Sequence, residues 1–530
     1  MDMIKREIIE GDDLTAALRR GIDKLANTVK ITLGPKGKLV LIQRPGMHPI
    51  VTKDGVTVAN SINLEDEVEN LGAQIIREAA SRTADEAGDG TTTATVLAQA
   101  IYNEGLKMKA AGFDLVGIKK GILEGTQAVV RYLERKKKDV SSSDDLLKVA
   151  LISANGEEDI SKLIVKAIDA AGVDGHVIVE EAKGFSSSLT VVDGYQIERG
   201  FISPYFVSDK SKMACVFNDP LILMADRTFN SIHSLMKPLE LALDMSRPIL
   251  VIANEIEGDA IQGLVLNKVK GSLMVCAIKS PGFGSTRHEL LNDLESVIGG
   301  KVLNSSFDMQ ACTKEVFGTC KKVIIHKGTT LFISEESSSN DRTDRRIFDV
   351  KERLEHPGIT ENERELLIYR LQQLSGGISI LRVGAATESE LIERYDRVDD
   401  SLSATKAAIE SGILPGGGVA LVRASDQLET LKGVFDNQSV AAGLSIIERA
   451  CKEPFMQIVK NSGKSPDVFL ERVLDSDMSM GYDSRDDKFD DMYELGIVDP
   501  FKVIRCAIEN AASAASMLLS AGSSIIEIKK

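Results

Sequence analysis

Apolar and polar residues at the beginning of the chain follow the spacing of amphipathic helices. A period of about 3.6 residues predicts a helix over residues 14–34 that ends at Gly34-Pro35. Its apolar positions are Leu18, Ile22, Leu25 and Val29. A short strand is predicted over 38–42, and further helices over 65–85, 91–111 and 115–137. This part of the chain is therefore expected to be mainly helical.

From about residue 176 the pattern changes to short β-rich runs that are separated by helical stretches. The runs are His176–Val179, Leu189–Val192, Leu221–Met224 and Pro248–Ile252. Helices are predicted over 231–245 and 258–271, and an exposed turn over 335–342. Strands that alternate with helices predict an α/β domain in the middle of the chain. Because the pattern returns to helices after Gly384, we expect this mixed domain to be inserted into a helical one.

The composition is that of a folded globular protein. Of the 530 residues, 43% are hydrophobic and 27% are charged, which excludes a disordered or collagen-like chain. With 64 basic and 79 acidic residues the net charge is −15, which argues against a nucleic-acid binder. The cysteines form no CxxC pair and the histidines have no metal-like spacing, so no zinc site is predicted. The N-terminal residues do not resemble a signal or transit peptide, and no apolar run reaches about 20 residues. We therefore expect a cytoplasmic protein without a membrane segment.

The strongest chemical motif is Gly88-Asp89-Gly90-Thr91-Thr92-Thr93, directly before a predicted helix. Glycines let a ligand approach the backbone closely, and the N–H groups at a helix start favour a phosphate. Asp89 could hold a Mg²⁺ ion that bridges phosphate oxygens. The same residues also suit an ordinary helix-capping turn, and the motif taken alone favours that interpretation.

Four further segments are candidates for a site. Thr32–Gly37 could place N–H groups against a phosphate or could simply end a helix. Thr52–Gly55 could orient water or a metal with Asp54, or could form a common turn. Asp399 and Asp400 lie on a predicted helix about 100° apart, so they need not share a role, and a solvated charged face is the alternative. Gly416–Gly418 indicates that another backbone or a ligand approaches the chain closely.

Taken together, these segments resemble the GroEL-type (group I) chaperonin family. The matching strings occur in family order along nearly the whole chain and are Thr32–Gly37, Thr52–Gly55, Leu71–Gln74, Ala87–Leu97, Ile152–Asn155, Ser203–Phe206, Pro281–Gly284, Val383–Glu388 and Gly416–Leu421. Because so many matches occur in the family order, they support the family and the fold more strongly than any single motif does. The fold class that the resemblance implies is a multidomain α and α/β chaperonin subunit.

The resemblance implies a subunit of three domains. An equatorial domain for ATP binding and ring contacts would comprise residues 1–135 and 411–530. An intermediate hinge domain would comprise 136–192 and 379–410, and an apical α/β domain 193–378. The family assembles into heptameric rings, usually two back to back, and encloses non-native proteins under a GroES-type lid in an ATP-driven cycle. The chain is thus expected to be a homo-oligomeric chaperone and an ATPase of the protein-folding isomerase class.

The resemblance also assigns roles to individual residues of the nucleotide site. Asp54 and Asp400 would position the attacking water, and Asp89 would bind Mg²⁺. A K⁺ ion would be held by Thr32, Lys53 and Thr92. The other nucleotide contacts would be Leu33, Gly34, Pro35, Gly90, Thr91, Thr93, Gly417, Asp483, Ile497 and Asp499. Because Asp400 belongs to the intermediate segment, hydrolysis would require that domain to close on the equatorial site.

The family presents an apolar apical groove to its clients and to the lid. The matching positions are Phe201, Tyr205, Phe206, Met236, Leu239, Ile261, Val265 and Leu266. From the pattern alone, the apolar stripe of the helix predicted over 231–245 is expected to be core. The resemblance implies instead that part of the stripe is exposed and binds unfolded chains.

Three regions depart from the family pattern. Where the family usually has Asn and two small residues, this chain has Asp483-Ser484-Arg485, and a carboxylate cannot donate a hydrogen bond as an amide can. The Arg–Glu pair of the ring–ring contact corresponds to Met456 and Ser465, which makes a single ring or a looser assembly an alternative to the double ring. Gly-Gly-Met repeats are missing from the C-terminal residues, which weakens the expectation of efficient encapsulated refolding. The departures indicate a divergent bacterial paralogue.

Two functions follow from this sequence. The first is an ATP-driven folding machine, which is supported by the complete set of Asp54, Asp89 and Asp400. The second is a non-cycling holdase or specialised binding protein with weak or no ATPase activity, which the departures favour. Because phosphoryl transfer depends on these carboxylates, the first function is preferred.

Overall fold

The computed structural model describes residues 6–44, 49–140, 142–154, 156–171, 176–182, 184–209, 213–304, 312–334, 341–356, 359–375 and 377–527. The helices are α1 (Gly11–Val29), α2 (Gly55–Asn60), α3 (Glu67–Ala87), α4 (Thr91–Ala110), α5 (Leu115–Lys136), α6 (Ser143–Ser153), α7 (Glu158–Ala171), α8 (Met236–Asp244), α9 (Gly258–Val269), α10 (Gly284–Ile298), α11 (Asp341–Glu355), α12 (Glu361–Ser375), α13 (Glu388–Ser411), α14 (Val419–Lys432), α15 (Gln438–Ala450), α16 (Glu453–Asn461), α17 (Pro466–Leu474) and α18 (Phe501–Leu519).

The strands are β1 (Arg6–Glu10), β2 (Val40–Ile42), β3 (Ile50–Thr52), β4 (His176–Glu181), β5 (Ser188–Ile197), β6 (Cys215–Asn218), β7 (Leu221–Phe229), β8 (Ile249–Ile256), β9 (Val275–Lys279), β10 (Val302–Leu303), β11 (Gly318–Thr319), β12 (Lys322–Ile325), β13 (Thr330–Ile333), β14 (Gly377–Val383), β15 (Ile413–Pro415), β16 (Met480–Asp483), β17 (Lys488–Asp491), β18 (Val498–Pro500) and β19 (Ser523–Glu527). Within the described residues, no helix is both long and apolar enough to span a membrane.

The chain forms two compact units. Unit 1 comprises Met1–Val165, Glu181–Ser188 and Val383–Lys530, and unit 2 comprises Lys166–Glu180 and Leu189–Arg382. The middle of the chain is thus inserted into a unit that both ends build, as the order of helical and mixed patterns predicts. The three-domain boundaries given above stay a prediction.

In its described residues, unit 1 is a helical assembly with four small two-stranded sheets. Helix α5 packs along α15, α18 packs on α3 and α4, and α1 packs on α3. The predicted stripe of α1 lies in this core, where Ile22, Leu25 and Val29 are fully buried. The helix is shorter than predicted, because residues Lys30–Thr32 tighten into a 3₁₀ turn before the loop at Gly34. The first and last described strands, β1 and β19, pair in antiparallel register.

Unit 2 is the mixed α/β part of the chain. Strands β7, β8 and β9 form a parallel sheet in that order, β10 pairs with β7 in parallel, and β11 adds an antiparallel pair. The second sheet has the order β4-β14-β5-β13-β12-β6.

An exposed turn was predicted over 335–342. Residues 335–340 lie outside the described part of the chain. Asp341 and Arg342 form the first turn of α11, so the prediction was wrong for these two residues.

A buried ion network ties three helices of unit 2 together. Asp293 on α10 is fully buried, and its carboxylate accepts hydrogen bonds from Arg370 on α12 at 2.6 and 2.8 Å. Arg346 on α11 donates to the same carboxylate at 2.6 Å and to Glu289 at 2.7 Å. Arg370 is 1% exposed, so its charge depends on these partners for compensation. The sequence analysis did not find this network, because its members are distant in the chain.

Candidate functional site

A cavity of about 530 Å³ in unit 1 contains nearly all the residues that the sequence proposed for nucleotide binding and hydrolysis. The predicted residues that line it are Thr32, Leu33, Gly34, Pro35, Lys53, Asp54, Asp89, Gly90, Thr92, Thr93, Asp400, Gly417, Asp483, Ile497 and Asp499. The exception is Thr91, which is 6% exposed and lies outside the lining. A cavity of this size suits a ligand as large as a nucleotide.

The start of helix α4 forms one wall of the cavity. Gly90 is its N-cap residue with φ +88°, and no side chain caps the first turn. A Cβ on Gly90 would lie 2.7 Å from Cγ1 of Val503, so the position accepts only glycine without rearrangement. The uncapped N–H groups and the positive end of the helix dipole make this wall suitable for a phosphate. The capping interpretation and the binding interpretation of the motif are therefore compatible.

Asp89 lies between α3 and α4 and faces the cavity. One carboxylate oxygen accepts a hydrogen bond from the N–H of Gly90 at 2.5 Å. Burial raises the pKa of Asp89, and the nearby charge of Asp54 raises it further. A buried carboxylate in such a place favours a bound cation or proton. Among the described residues no three His, Cys, Asp or Glu side chains are placed to hold a metal by themselves. An ion at Asp89 would thus need oxygens from a ligand, as Mg²⁺ sites with phosphates do.

Asp54 follows strand β3 and begins helix α2. Its two carboxylate oxygens accept hydrogen bonds from the N–H groups of Val56 at 3.1 Å and Thr57 at 2.7 Å. The N–H of Asp54 in turn donates to Oγ1 of Thr52 at 3.0 Å. The turn that the sequence indicated is real, and it holds the carboxylate in a defined place in the cavity wall.

Helix α13 brings Asp400 to the cavity. Burial raises the pKa of Asp400 well above its usual value, and the charges of Asp89 and Asp54 add to the shift. Asp396, one turn earlier, also lines the cavity, and burial beside Asp54 raises its pKa to about 6. Asp399 is exposed and is not part of the lining. The sequence analysis missed Asp396, although its spacing of four from Asp400 places both on one helical face.

Lys53 fastens the loop between α1 and β2. Its ammonium group donates hydrogen bonds to the carbonyl oxygens of Gly34 at 3.3 Å and Pro35 at 3.2 Å. Burial lowers the pKa of Lys53, and the charges of Arg397 and Arg485 lower it further. The loop therefore both ends a helix and lines the cavity. An ammonium group cannot ligate a cation, so only the main-chain oxygen of Lys53 is available for a K⁺ ion.

The three glycines before α14 allow two backbones to meet at the cavity. A Cβ on Gly418 would lie 2.7 Å from the backbone nitrogen of Phe455, and one on Gly416 would lie 3.0 Å from the backbone of Ile497. Gly417 lines the cavity between them. The sequence left open whether a backbone or a ligand required this motif, and the structure shows a backbone approach at Gly416 and Gly418.

Comparison with known proteins identifies the family. The model of the TCP-1/cpn60 chaperonin family matches residues 25–529. The chain belongs to this family. Two crystal structures of the chaperonin gp146 from the bacteriophage EL 2 (Pseudomonas aeruginosa), both in the presence of ATP-BeFx, share the fold. The chain described here is 23% identical in sequence to each of the two phage chains. Each match covers 98% of this chain and 99% of the phage chain, and the TM-scores are 0.71 for crystal form II and 0.65 for crystal form I.

The hairpin of β16 and β17 contributes the part of the cavity where this chaperonin departs from the family pattern. Asp483 is 7% exposed, and its Oδ1 accepts hydrogen bonds from the N–H groups of Arg485 at 2.8 Å and Asp486 at 3.3 Å. Arg485 itself is exposed and lines the cavity. The carboxylate that replaces the usual amide is thus used to shape its own turn.

The residues predicted for client binding lie in unit 2 but differ in exposure. Tyr205 is 70%, Met236 43% and Leu266 53% exposed. Phe201, Ile261 and Val265 are half-buried and pack against the core of unit 2. Phe206 and Leu239 are 0% and 8% exposed and belong to that core. Because both side chains fill the interior, they do not form part of the exposed apolar surface of unit 2.

Replacing Asp499 with asparagine is expected to stabilise the ligand-free chaperonin at pH 8 but not at pH 4. Burial beside Asp89 raises the pKa of Asp499 to about 7, so the ionised form destabilises the fold progressively as the pH rises from 4 to 7. Asp499 keeps part of its surface open to the cavity, so we expect a gain of only about 1–2 kcal/mol above pH 7. Thermal unfolding at both pH values measures it. Asp490→Asn, on an exposed carboxylate outside the cavity, is the matched control. An equal gain for both variants, or a gain at pH 4, would contradict the prediction.

Proposed function

We propose that this chaperonin hydrolyses ATP and uses the energy to bind and release non-native proteins. The observation that carries the proposal is the meeting of Asp54, Asp89 and Asp400 beside the uncapped start of α4 in one cavity. Phosphoryl transfer needs positioning and charge neutralisation more than covalent chemistry, and this arrangement supplies both.

In this proposal the phosphates of ATP lie against Gly90, Thr92 and Thr93 at the start of α4. Asp89 fits a Mg²⁺ ion, because its half-buried carboxylate lines the cavity and, among the described residues, hydrogen bonds through one oxygen to the N–H of Gly90. Such an ion neutralises charge on the phosphates. A K⁺ ion would use main-chain oxygens of Thr32 and Lys53 and the hydroxyl of Thr92. The nucleotide site would be completed by other residues of the cavity lining, namely Leu33, Gly34, Pro35, Gly417, Asp483, Ile497 and Asp499.

Asp400 and Asp54 would act on the water that attacks the γ-phosphate. Asp54 is held by two backbone N–H groups, so it can orient a water without moving. The raised pKa of Asp400 makes its carboxylate a better proton acceptor than an ordinary aspartate. We propose that Asp400 accepts the proton and that Asp54 fixes the direction of attack.

Clients would bind to the apolar surface formed by Phe201, Tyr205, Met236, Ile261, Val265 and Leu266. The exposure of Tyr205, Met236 and Leu266 supports this proposal, since large apolar side chains on a surface commonly mark binding sites. The flexible Met236 side chain can adapt to different clients. We further propose a cytoplasmic homo-oligomer built on a heptameric ring, the three domains described above, and a GroES-type co-chaperonin.

Phosphate release and client release test this function together. The purified chain is given ATP, Mg²⁺ and K⁺ and a fluorescently labelled, chemically unfolded client, and its assembly is followed by sedimentation. We expect phosphate release, a ring-sized particle and release of the client when ATP is added. An assembly that keeps its client and releases no phosphate would instead support the non-cycling holdase. That alternative is favoured by the altered turn at Asp483 and by Met456 and Ser465, which cannot form an ion pair.

A further inference from the structure

Asp396 is a carboxylate of the cavity to which the proposed function gives no role. It lies on α13 four residues before Asp400, and this spacing places both side chains on one face of the helix. Both side chains line the cavity. Among the described residues, no hydrogen bond or ion pair involves the carboxylate of Asp396. Its charge therefore has no partner of its own in the cavity wall.

The start of α4, which is the phosphate wall of the proposed function, touches both segments that carry the carboxylates. A Cβ on Gly55, which follows Asp54, would lie 2.3 Å from Oγ1 of Thr92. A Cβ on Gly88 would lie 2.2 Å from the Cβ of Ser403 on α13. Only glycines allow these two approaches without rearrangement. The start of α2 and one face of α13 are thus packed directly against the loop and first turn of α4.

Asp396 continues the face of α13 that makes this contact. Ser403, Asp400 and Asp396 follow one another toward the start of the helix at spacings of three and four residues. In the proposed function Asp54 and Asp400 act on the water that attacks the terminal phosphate, so this phosphate has to lie beside both of them. Burial and the charges of Asp54 and Asp399 raise the pKa of Asp396 to about 6. Asp396 is therefore one helical turn from the place of the terminal phosphate and feels the charges around it.

The cations of the cavity lining do not offset its carboxylates. The lining contains nine Asp and Glu side chains and four cationic ones, which are Lys53, Lys148, Arg397 and Arg485. Lys53 already donates to two carbonyl oxygens, and Arg397 pairs with Glu157 and Glu393. A phosphate that enters the cavity thus meets an excess of negative charge.

We propose that Asp396 is a specificity-determining residue that weakens the binding of nucleoside triphosphates relative to diphosphates. Like charges repel, and the ionised carboxylate acts chiefly on the terminal phosphate, which only the triphosphate has. Protonation of Asp396 removes the repulsion, so the binding of a triphosphate favours the uptake of a proton. The inference rests on the proposed nucleotide-binding function.

Equilibrium titration of the full chain with ADP and with the non-hydrolysable β,γ-imido analogue of ATP, both with Mg²⁺, tests the proposal. Asp396→Asn removes the charge and nearly keeps the shape, whereas Asp396→Glu keeps the charge. Asp399→Asn is the matched control, because Asp399 is exposed on the same helix and does not line the cavity. At pH 7.5 we expect Asp396→Asn to bind the triphosphate about three- to tenfold more tightly than wild type and ADP within about twofold. The other two variants should keep the wild-type ratio of affinities within about twofold.

The same titrations at pH 5.5 separate the charge of Asp396 from its shape. With its pKa raised to about 6 by burial and by its carboxylate neighbours, Asp396 is mostly ionised at pH 7.5 and mostly neutral at pH 5.5. The advantage of Asp396→Asn for the triphosphate should therefore fall below about twofold at pH 5.5. The nucleotide phosphates and the other carboxylates titrate in both proteins, so the comparison with wild type at each pH removes their contribution. An advantage of equal size at both pH values would overturn the inference.

The remaining results also decide the matter. Equal gains for both nucleotides in Asp396→Asn would show that Asp396 acts on the cavity as a whole. A selective loss of triphosphate affinity would show that Asp396 helps to hold the cation on the phosphates, and an unchanged ratio would place it away from the terminal phosphate. If wild type binds neither nucleotide, the proposed function fails as well. If wild type binds both and releases phosphate from ATP, but the ratio does not respond to Asp396, only this inference fails.

Discussion

Replacing Asp400 with alanine is expected to lower the rate of ATP hydrolysis by about a hundredfold or more while ATP still binds. Asp400 lies beside Asp54 and Asp89 in the cavity, and burial with these neighbours raises its pKa well above the usual value. In the proposed function, its removal would deprive the attacking water of its proton acceptor but would leave the start of α4 and Asp89 in place. Phosphate release and nucleotide titration, measured side by side, separate the two effects.

The neighbouring residue provides the control for this experiment. Asp399 precedes Asp400 on α13, is exposed, and does not line the cavity. Asp399→Ala removes the same group from the adjacent position and should retain hydrolysis within about twofold of wild type. Equal losses in both variants would point to damage to α13 instead of lost chemistry. Full activity in Asp400→Ala would exclude Asp400 from the reaction.

Replacing Asp293 with alanine is expected to destabilise unit 2 by about 3–5 kcal/mol. The change leaves Arg370, which is 1% exposed, and the partly buried Arg346 with only the partly exposed Glu289 as a carboxylate partner. A buried guanidinium group whose charge is only partly compensated is costly, and it cannot escape by losing its proton. Hydrogen exchange measured on peptides from α10, α11 and α12 should show lost protection in these helices, because the network joins them.

Glu289→Ala serves as the comparison within the same network. Glu289 is 31% exposed at its side chain and pairs with Arg346, Arg353 and Arg370 at 2.7 to 3.4 Å. Its removal leaves Asp293 to compensate the buried charge, so the loss of protection should be much smaller. Equal losses in the two variants would show that burial of Asp293 does not decide the energy of the network.

Local patterns in the sequence were sufficient to predict much of the cavity lining. Glycine and threonine before a predicted helix indicated the start of α4, and Asp54 and Asp400 stood in short motifs that the family resemblance connected. The features that the sequence did not predict are those that depend on a contact between residues far apart in the chain. Nothing in the sequence near Lys53 indicates that its ammonium group binds the carbonyl oxygens of Gly34 and Pro35. The exposure of Met236 and the burial of Leu239 likewise depend on which side of a short helix meets the core.

The sequence by itself determined the family, the alternation of helices and strands, and most residues that line the cavity, because these depend on local spacing and on short motifs. The tertiary structure decided which carboxylates line one cavity, which cations already have partners, and how Asp293 joins three helices. The physical reason is that pKa shifts, ion pairs and desolvation depend on distances between residues that are far apart in the chain. A periodicity of hydrophobic positions contains no information about such distances. Asp400 thus became a candidate by its motif, and the neighbours that alter its pKa became visible only in the folded chain.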